Sequence, residues 1–229
     1  KGMWYRKEIF KELGVEVPTT KSEYIAMCDK IKAAGITPVS FGGAETNPCL
    51  STLECFLYPL LEATNPDANA KIVAGEISIL DVPEYREGMI NAYDMFIPYI
   101  EESDMGISRE RSYDFFTGLQ RPMTSQGSYV VGVFREADPD GEFGLFPIPW
   151  SENPEDNKVN AGSDDSLMAS TDGVVDAALK WLEYASSVEG LNIWAENSGM
   201  LTASTLAPQV DRMDPMCEEM LHYFETDKA

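Results

Sequence analysis

TKSEYIAMCDKIKAAGITPVSF, residues 20–41, decides the fold class. Thr20 followed by Glu23 is a capping-box pattern, in which a hydroxyl and a carboxylate satisfy the free N–H groups that open a helix. Tyr24, Cys28 and Ile31 then recur at helical spacing on one face. Gly35 stops that helix, and ITPVSF (36–41) reads as a buried strand. Helix, glycine, strand is an α/β signature.

The neighbouring segments continue the pattern. RKEIFKEL (6–13) reads as a short helix closed by Gly14 as a left-handed cap. FGG (41–43) leads through a polar loop, AETNP (44–48), into an apolar helical stretch over 50–63 that contains Pro59. TNPDANAK (64–71) is a turn-rich surface connection. Pro83 suits the first turn of a helix running to about Tyr99, with Asp81 or Val82 near its cap. A short helix is expected over 109–117, ended by Gly118, and RPMTSQ (121–126) is strand-like. It runs into QGSYVVGVF (126–134): strand end, glycine turn, aromatic, helix.

DPDGEF (138–143) and NPEDN (153–157) are acidic turns, with the strand EFGLFPIP (142–149) between them. KVNAGSDDSLMAS (158–170) reads as a strand, a polar glycine loop and a second strand. Val174, Ala178, Trp181 and Ala185 mark an amphipathic helix, and a shorter helix around Leu191 to Trp194 is capped by SGM (198–200). A Met-rich acidic helix closes the sequence.

The chain has 229 residues, 44% of them hydrophobic and 10% aromatic, enough to bury a sizeable core in one large domain or two small ones. No apolar run approaches the roughly 18 residues of a membrane span. The opening at Lys1, without Met, reads as a processed or cut fragment. A net charge of −22 repels phosphate backbones, so nucleic acid is disfavoured as a partner. Cys28, Cys49, Cys55 and Cys217 have no CxxC spacing, which excludes zinc-ribbon and thioredoxin readings. Cys49 and Cys55 could pair on facing turns; buried thiols are the plainer reading.

Catalytic chemistry has little to draw on. His222 is the only histidine, so triads, metal clusters and proton shuttles lack their usual residue, and no metal or cofactor is expected. DPDGEF starts like a calcium-binding loop but lacks the later ligands, and is read as a plain turn. Asp164 and Asp165 are adjacent and point apart on a strand. With Glu45 they support an alternative reading as an acidic glycoside hydrolase, while a structural or adhesive module is a third.

Sugars have apolar faces ringed by hydroxyls, and a site for them needs a flat aromatic, short polar side chains and glycine turns. Three loops combine these: GMWYR (2–6) with Trp4 and Tyr5, QGSY (126–129) with Ser128 and Tyr129, and NAGSDDS (160–166) with Gly162, Asp164 and Asp165.

Five blocks, in order along the chain, carry a resemblance. GMWYRKEIFKELGVEVPTTKSEYIAMCDKIKAAGITPVSFGG closely resembles the crossover and first C-lobe elements of extracellular sugar-binding proteins of ABC importers, family 1 type. FFTGLQRPMTSQGSYV, EFGLFPIPW, VNAGSDDSLMAS and AALKWLEYASSVEGLNIWAENSGMLTA are similar to later blocks of that family, and the resemblance covers nearly the whole chain. It implies an α/β, periplasmic-binding-protein-like fold of type II, maltose-binding-protein-like, mainly its C-terminal lobe. In that scheme 1–157 and 206–229 are C-lobe elements, 158–205 packs into the N-lobe, and the rest of the N-lobe is absent.

The resemblance also implies a function: binding an extracellular mono- or oligosaccharide and delivering it to permease subunits, without catalysis. The family's ligand-stacking tryptophan falls on Tyr129, and its ligand-approaching glycine loop on Gly162 to Asp165. The loop after the glycine pair, which often holds an aromatic, offers Glu45 and Asn47 instead, and Arg6 replaces the crossover asparagine. The implied setting is extracellular, on a lipid-anchored cell surface or in a periplasm, with membrane contact only through an anchor upstream. An exposed sheet edge around 160–203 would favour a homodimer or swapped assembly.

Overall fold

The computed structural model describes residues 1–162, 167–198 and 214–226. Its scaffold is a four-stranded mixed sheet of β1 (Gly2–Arg6), β2 (Val39–Ser40), β3 (Met123–Gln126) and β4 (Phe143–Phe146), in the order β2–β3–β1–β4. β1 is antiparallel to β3 and β4, whereas β2 and β3 are parallel. The helices are α1 (Lys7–Leu13), α2 (Lys21–Ala33), α3 (Thr46–Thr64), α4 (Ala68–Val73), α5 (Pro83–Phe96), α6 (Arg109–Thr117), α7 (Val131–Ala137), α8 (Val175–Ala185), α9 (Val188–Ser198) and α10 (Pro215–Glu225).

Alternation along β1 divides the core between the two faces of the sheet. Met3 joins Tyr24, Cys28, Ile31, Phe56 and Phe146 in one buried cluster. Trp4 joins Phe116, Val131, Phe134 and Leu145 in the other. Helices therefore cover both faces, the α/β arrangement expected of residues 20–41.

Local signals set several boundaries. Thr20 Oγ1 accepts the Glu23 N–H at 3.3 Å and the Glu23 carboxylate accepts the Thr20 N–H at 3.2 Å, so both halves of the capping box form on α2. Gly14 and Gly35 close α1 and α2 with φ of 58° and 81°, the left-handed region that glycine enters without steric cost. Helix α5 ends at Phe96 and a 3-10 turn over Ile97–Tyr99 completes it, since Pro98 cannot continue an α-helix.

Other expectations are corrected. The strand expected over 36–41 shortens to β2, because the following residues turn away: Gly43 N–H bonds the Asp104 carbonyl at 2.8 Å and Ala44 N–H bonds that of Ile107 at 3.1 Å. Residues 158–162 and 167–170 form no strand, and Asn160 N–H instead bonds the Lys1 carbonyl at 2.9 Å. The exposed sheet edge expected there does not form among the described residues. The outer edge of β4 is closed by α10, where the Glu219 carboxylate accepts the Leu145 N–H and the Tyr223 hydroxyl donates to the Leu145 carbonyl, both at 2.8 Å. Cys49 and Cys55 do not pair, and none of the four cysteines is in a disulfide.

Helix α8 is amphipathic, yet none of its residues is buried. Leu179, Trp181 and Tyr184 are exposed, as are Ile193 and Trp194 on α9. The cap expected at 198–200 falls partly on Gly199 and Met200, outside the described residues. No helix among the described residues is long and apolar enough to cross a membrane.

Candidate ligand-binding site

β3 ends at Gln126, and a 3-10 turn over Ser128–Val130 leads into α7. Gly127 has φ −85° and an extended ψ, a conformation open to any residue, so its backbone does not demand glycine. Its side-chain space does. A Cβ at position 127 would lie 2.6 Å from Tyr129 Cε1 and 2.9 Å from Cδ1, so the Tyr129 ring folds back over the glycine. The Tyr129 hydroxyl donates to Gln126 Oε1 at 2.7 Å, and the Tyr113 hydroxyl approaches the same oxygen at 3.5 Å. Gln126 is buried, which fixes that acceptor. Tyr129 packs against the Trp4–Phe134 cluster while remaining half-buried, and burial pushes its phenol above the ordinary value. The site thus has an anchored, uncharged aromatic with a partly open ring.

Polar groups from two helix N-termini stand beside the ring. The Ser51 hydroxyl lies next to the Tyr129 phenol and reaches Asn47 Oδ1 at 3.5 Å. Asn47 is exposed in the first turn of α3. Glu45 accepts the Arg109 N–H at 3.1 Å, where the dipole of α6 favours a carboxylate. The glycine pair makes this approach feasible: a Cβ at Gly42 would lie 2.6 Å from Arg109 Cα. Arg109 holds Glu110 at 3.3 Å, and its Nε is buried without a partner. A flat ring with a hydroxyl and a guanidinium near its phenol, and an amide and a carboxylate one contact further on, can supply the hydrogen bonds and stacking a polyhydroxylated ligand needs.

Trp4 requires correction as a ligand-contacting residue. It is fully buried, edge-on to Phe134 at 6.5 Å and 90°, with no ring face open to a ligand. Tyr5, one residue further along β1, belongs to the opposite face and packs on Phe10 at 4.5 Å and Phe146 at 5.6 Å, so it does not join Tyr129. Ser128 is half-buried beside Tyr129 and Gly162 is exposed; Asp164 and Asp165 lie outside the described residues.

Arg6, at the family's asparagine position, is a buried anchor. It bonds Asp138 at 2.6 Å, Glu8 at 3.0 Å and the Thr117 carbonyl at 2.8 Å, with its guanidinium 4.6 Å from the Phe143 ring centroid. That engagement of Asp138 fits DPDGEF as a structural turn. Among the described residues no group of three His, Cys, Asp or Glu side chains gathers to hold a metal. His222 is exposed on α10 and packs edgewise on Tyr223. Sequence reasoning missed Gln126, Ser51, Arg109 and Tyr113. Only the last two carried a signal, their i,i+4 spacing on one helix face.

The mixed sheet with its helices is the fold of the type II periplasmic sugar-binding proteins. A chitin oligosaccharide binding protein matches it with a TM-score of 0.78 at 17% identity, over 100% of this chain and 57% of that one. In sequence the chain is similar to an uncharacterized ABC transporter extracellular-binding protein of Pyrococcus horikoshii, 26% identical over 222 residues, which are 93% of this chain and 47% of the relative. It is also similar to a multiple sugar-binding protein of Streptococcus mutans, 24% identical over 204 residues, 86% of this chain and 48% of that protein. The chain spans about half the length of the curated relatives it matches. No family model matches it.

Proposed function

We propose that this chain binds an extracellular carbohydrate and delivers it to the permease of an ABC importer. The observation that carries the reading is the Tyr129 ring, seated over Gly127 and held by Gln126, with Ser51 and Arg109 near its hydroxyl, Asn47 in reach of Ser51 and Glu45 on the Arg109 N–H. The ring stacks on an apolar sugar face while the neighbours exchange hydrogen bonds with its hydroxyls. Ser128, Gly162, Asp164 and Asp165 are further ligand-binding residues in this reading. The mechanism is recognition without catalysis, with Glu45 serving as an acceptor.

Residues 1–157 and 206–229 supply one lobe and 158–205 packs into the other. Support comes from the exposed Leu179, Trp181, Tyr184, Ile193 and Trp194, an apolar surface that calls for a partner. Closure of two lobes on the sugar presents a docking face to the permease. The protein works outside the cell, lipid-anchored or in a periplasm. Where no second lobe is supplied, the same faces pair two copies of this chain, and a monomer by light scattering at high concentration contradicts that pairing.

A thermal-shift panel of carbohydrates at millimolar concentration tests the reading, since a ligand bound only by the folded state raises Tm. At least one sugar should stabilise the chain, and Tyr129→Ala should abolish the shift. A panel with no stabilising sugar contradicts it.

A further inference from the structure

Residues 101–109 lie against the segment that carries Glu45, and three successive contacts join them. Gly43 N–H bonds the Asp104 carbonyl at 2.8 Å, Ala44 N–H bonds that of Ile107 at 3.1 Å, and Glu45 accepts the Arg109 N–H at 3.1 Å. The approach is close: a Cβ at Gly43 would stand 2.8 Å from Met105 Cα and 3.1 Å from the Asp104 carbonyl oxygen. Glu45 immediately precedes α3, yet its side chain caps none of that helix's free N–H groups. Its direction is set by the 101–109 loop instead.

A buried ion pair holds that loop. Arg121 Nη1 donates to Asp104 Oδ2 at 2.5 Å, with side chains 11% and 1% exposed, and the Glu101 N–H donates to the same oxygen at 2.9 Å. Arg121 follows α6; its N–H bonds the Phe115 carbonyl at 3.1 Å, and its guanidinium lies 4.5 Å from the Phe115 ring centroid. The pair thus ties the residues after α6 to the loop before it. Desolvation offsets much of the attraction between buried charges, so apolar side chains of similar volume often serve stability as well. Asp104 Oδ1 is also buried without a partner, which costs stability further. What the pair does fix is the place of the Asp104 backbone, whose carbonyl makes the first of the three contacts.

We infer that Asp104 and Arg121 are positioning residues for the ligand site: they hold the 101–109 loop as the template that aims the Glu45 carboxylate. The inference rests on the carbohydrate reading above. Neither side chain meets the ligand; both act on affinity through Gly43, Ala44 and the Arg109 N–H.

The test uses two perturbations, read by NMR on the labelled chain. Arg121→Met removes the charge, while Gly43→Ala leaves the ion pair in place and pushes the two segments apart, so it decides the matter should Arg121→Met fail to fold. In each, the Arg109 amide resonance should move toward its position in Glu45→Ala. The Ala44 amide should exchange at least about tenfold faster, with the amides of the β1–β3 ladder within about twofold of the unaltered chain. The chain is then titrated with glucose, galactose, N-acetylglucosamine, maltotetraose, stachyose and chitotetraose. The sugar that binds best should bind each variant about tenfold more weakly, the scale of one hydrogen bond to a charged acceptor. In the Glu45→Ala background each substitution should change affinity by less than about twofold, because no carboxylate is left to aim. An unmoved Arg109 amide, or equal affinity losses with and without Glu45, overturns the positioning role and leaves the carbohydrate reading standing. Failure of all six sugars to bind the unaltered chain overturns the carbohydrate reading and this inference with it.

Discussion

Replacing Gly127 with alanine should unseat Tyr129. The backbone at 127 accepts any residue, so the cost is steric. The new methyl would stand 2.6 Å from Cε1 and 2.9 Å from Cδ1 of the ring. Carbon atoms settle at about 3.5–4.0 Å, so the ring must retreat by roughly 1 Å. The hydroxyl then leaves its 2.7 Å position on Gln126 Oε1. Losing that bond costs about 1 kcal/mol. An off-rotamer ring adds about 0.5–1.5 kcal/mol, and the stiffer unfolded chain returns about 0.4–1 kcal/mol. The net expectation is about 0.5–2 kcal/mol of destabilisation, read in urea as a lower midpoint at constant m. The decisive assay is a double-mutant cycle: in Tyr129→Ala there is no ring to displace, so Gly127→Ala should cost less than about 0.5 kcal/mol. Equal costs in the two backgrounds would refute the steric account.

Three further outcomes follow from named contacts. Arg6→Ala strands Asp138 and Glu8 without their buried partner and should cost about 3–5 kcal/mol in denaturant unfolding; a surface-like loss contradicts the anchor role. Glu219→Ala deprives the Leu145 N–H of its acceptor at the β4 edge and should cost about 1–3 kcal/mol, with faster amide exchange at Leu145. Burial alone would raise the Asp214 carboxyl, but hydrogen bonds from Arg135 and the Met216 N–H outweigh it and hold the group below its ordinary value. A depressed carboxyl stabilises the fold above its unfolded pKa of about 3.9 and loses that contribution as pH falls through the lower folded value. Asp214→Asn should therefore flatten the acid limb of the stability profile below about pH 4, and an unaltered limb contradicts the coupling.

What the sequence revealed depended on how local the cause was. The ends of α2 follow from Thr20, Glu23 and Gly35, all within or beside the helix, and were legible. The length of β2 depends on Asp104 and Ile107, which draw residues 43 and 44 away, and no pattern within 36–41 shows it. Trp4 and Tyr129 illustrate the same limit at the site. Both are aromatics near a glycine, yet Phe134 from α7 covers Trp4 while Tyr129 keeps part of its ring open. Gln126 gave no signal because its role is to receive two tyrosine hydroxyls, one of them from α6.

The central claim is that a carbohydrate is held at Tyr129 and released unaltered. One NMR sample tests both halves: isotope-labelled chain titrated with a tetrasaccharide that stabilises it, recorded over hours. The account expects saturable shifts at Gly127, Tyr129 and Asn47, with the anomeric signals of the sugar constant in number and intensity. Shifts that leave Gly127 and Tyr129 unmoved, or new anomeric signals from cleaved sugar, would contradict it.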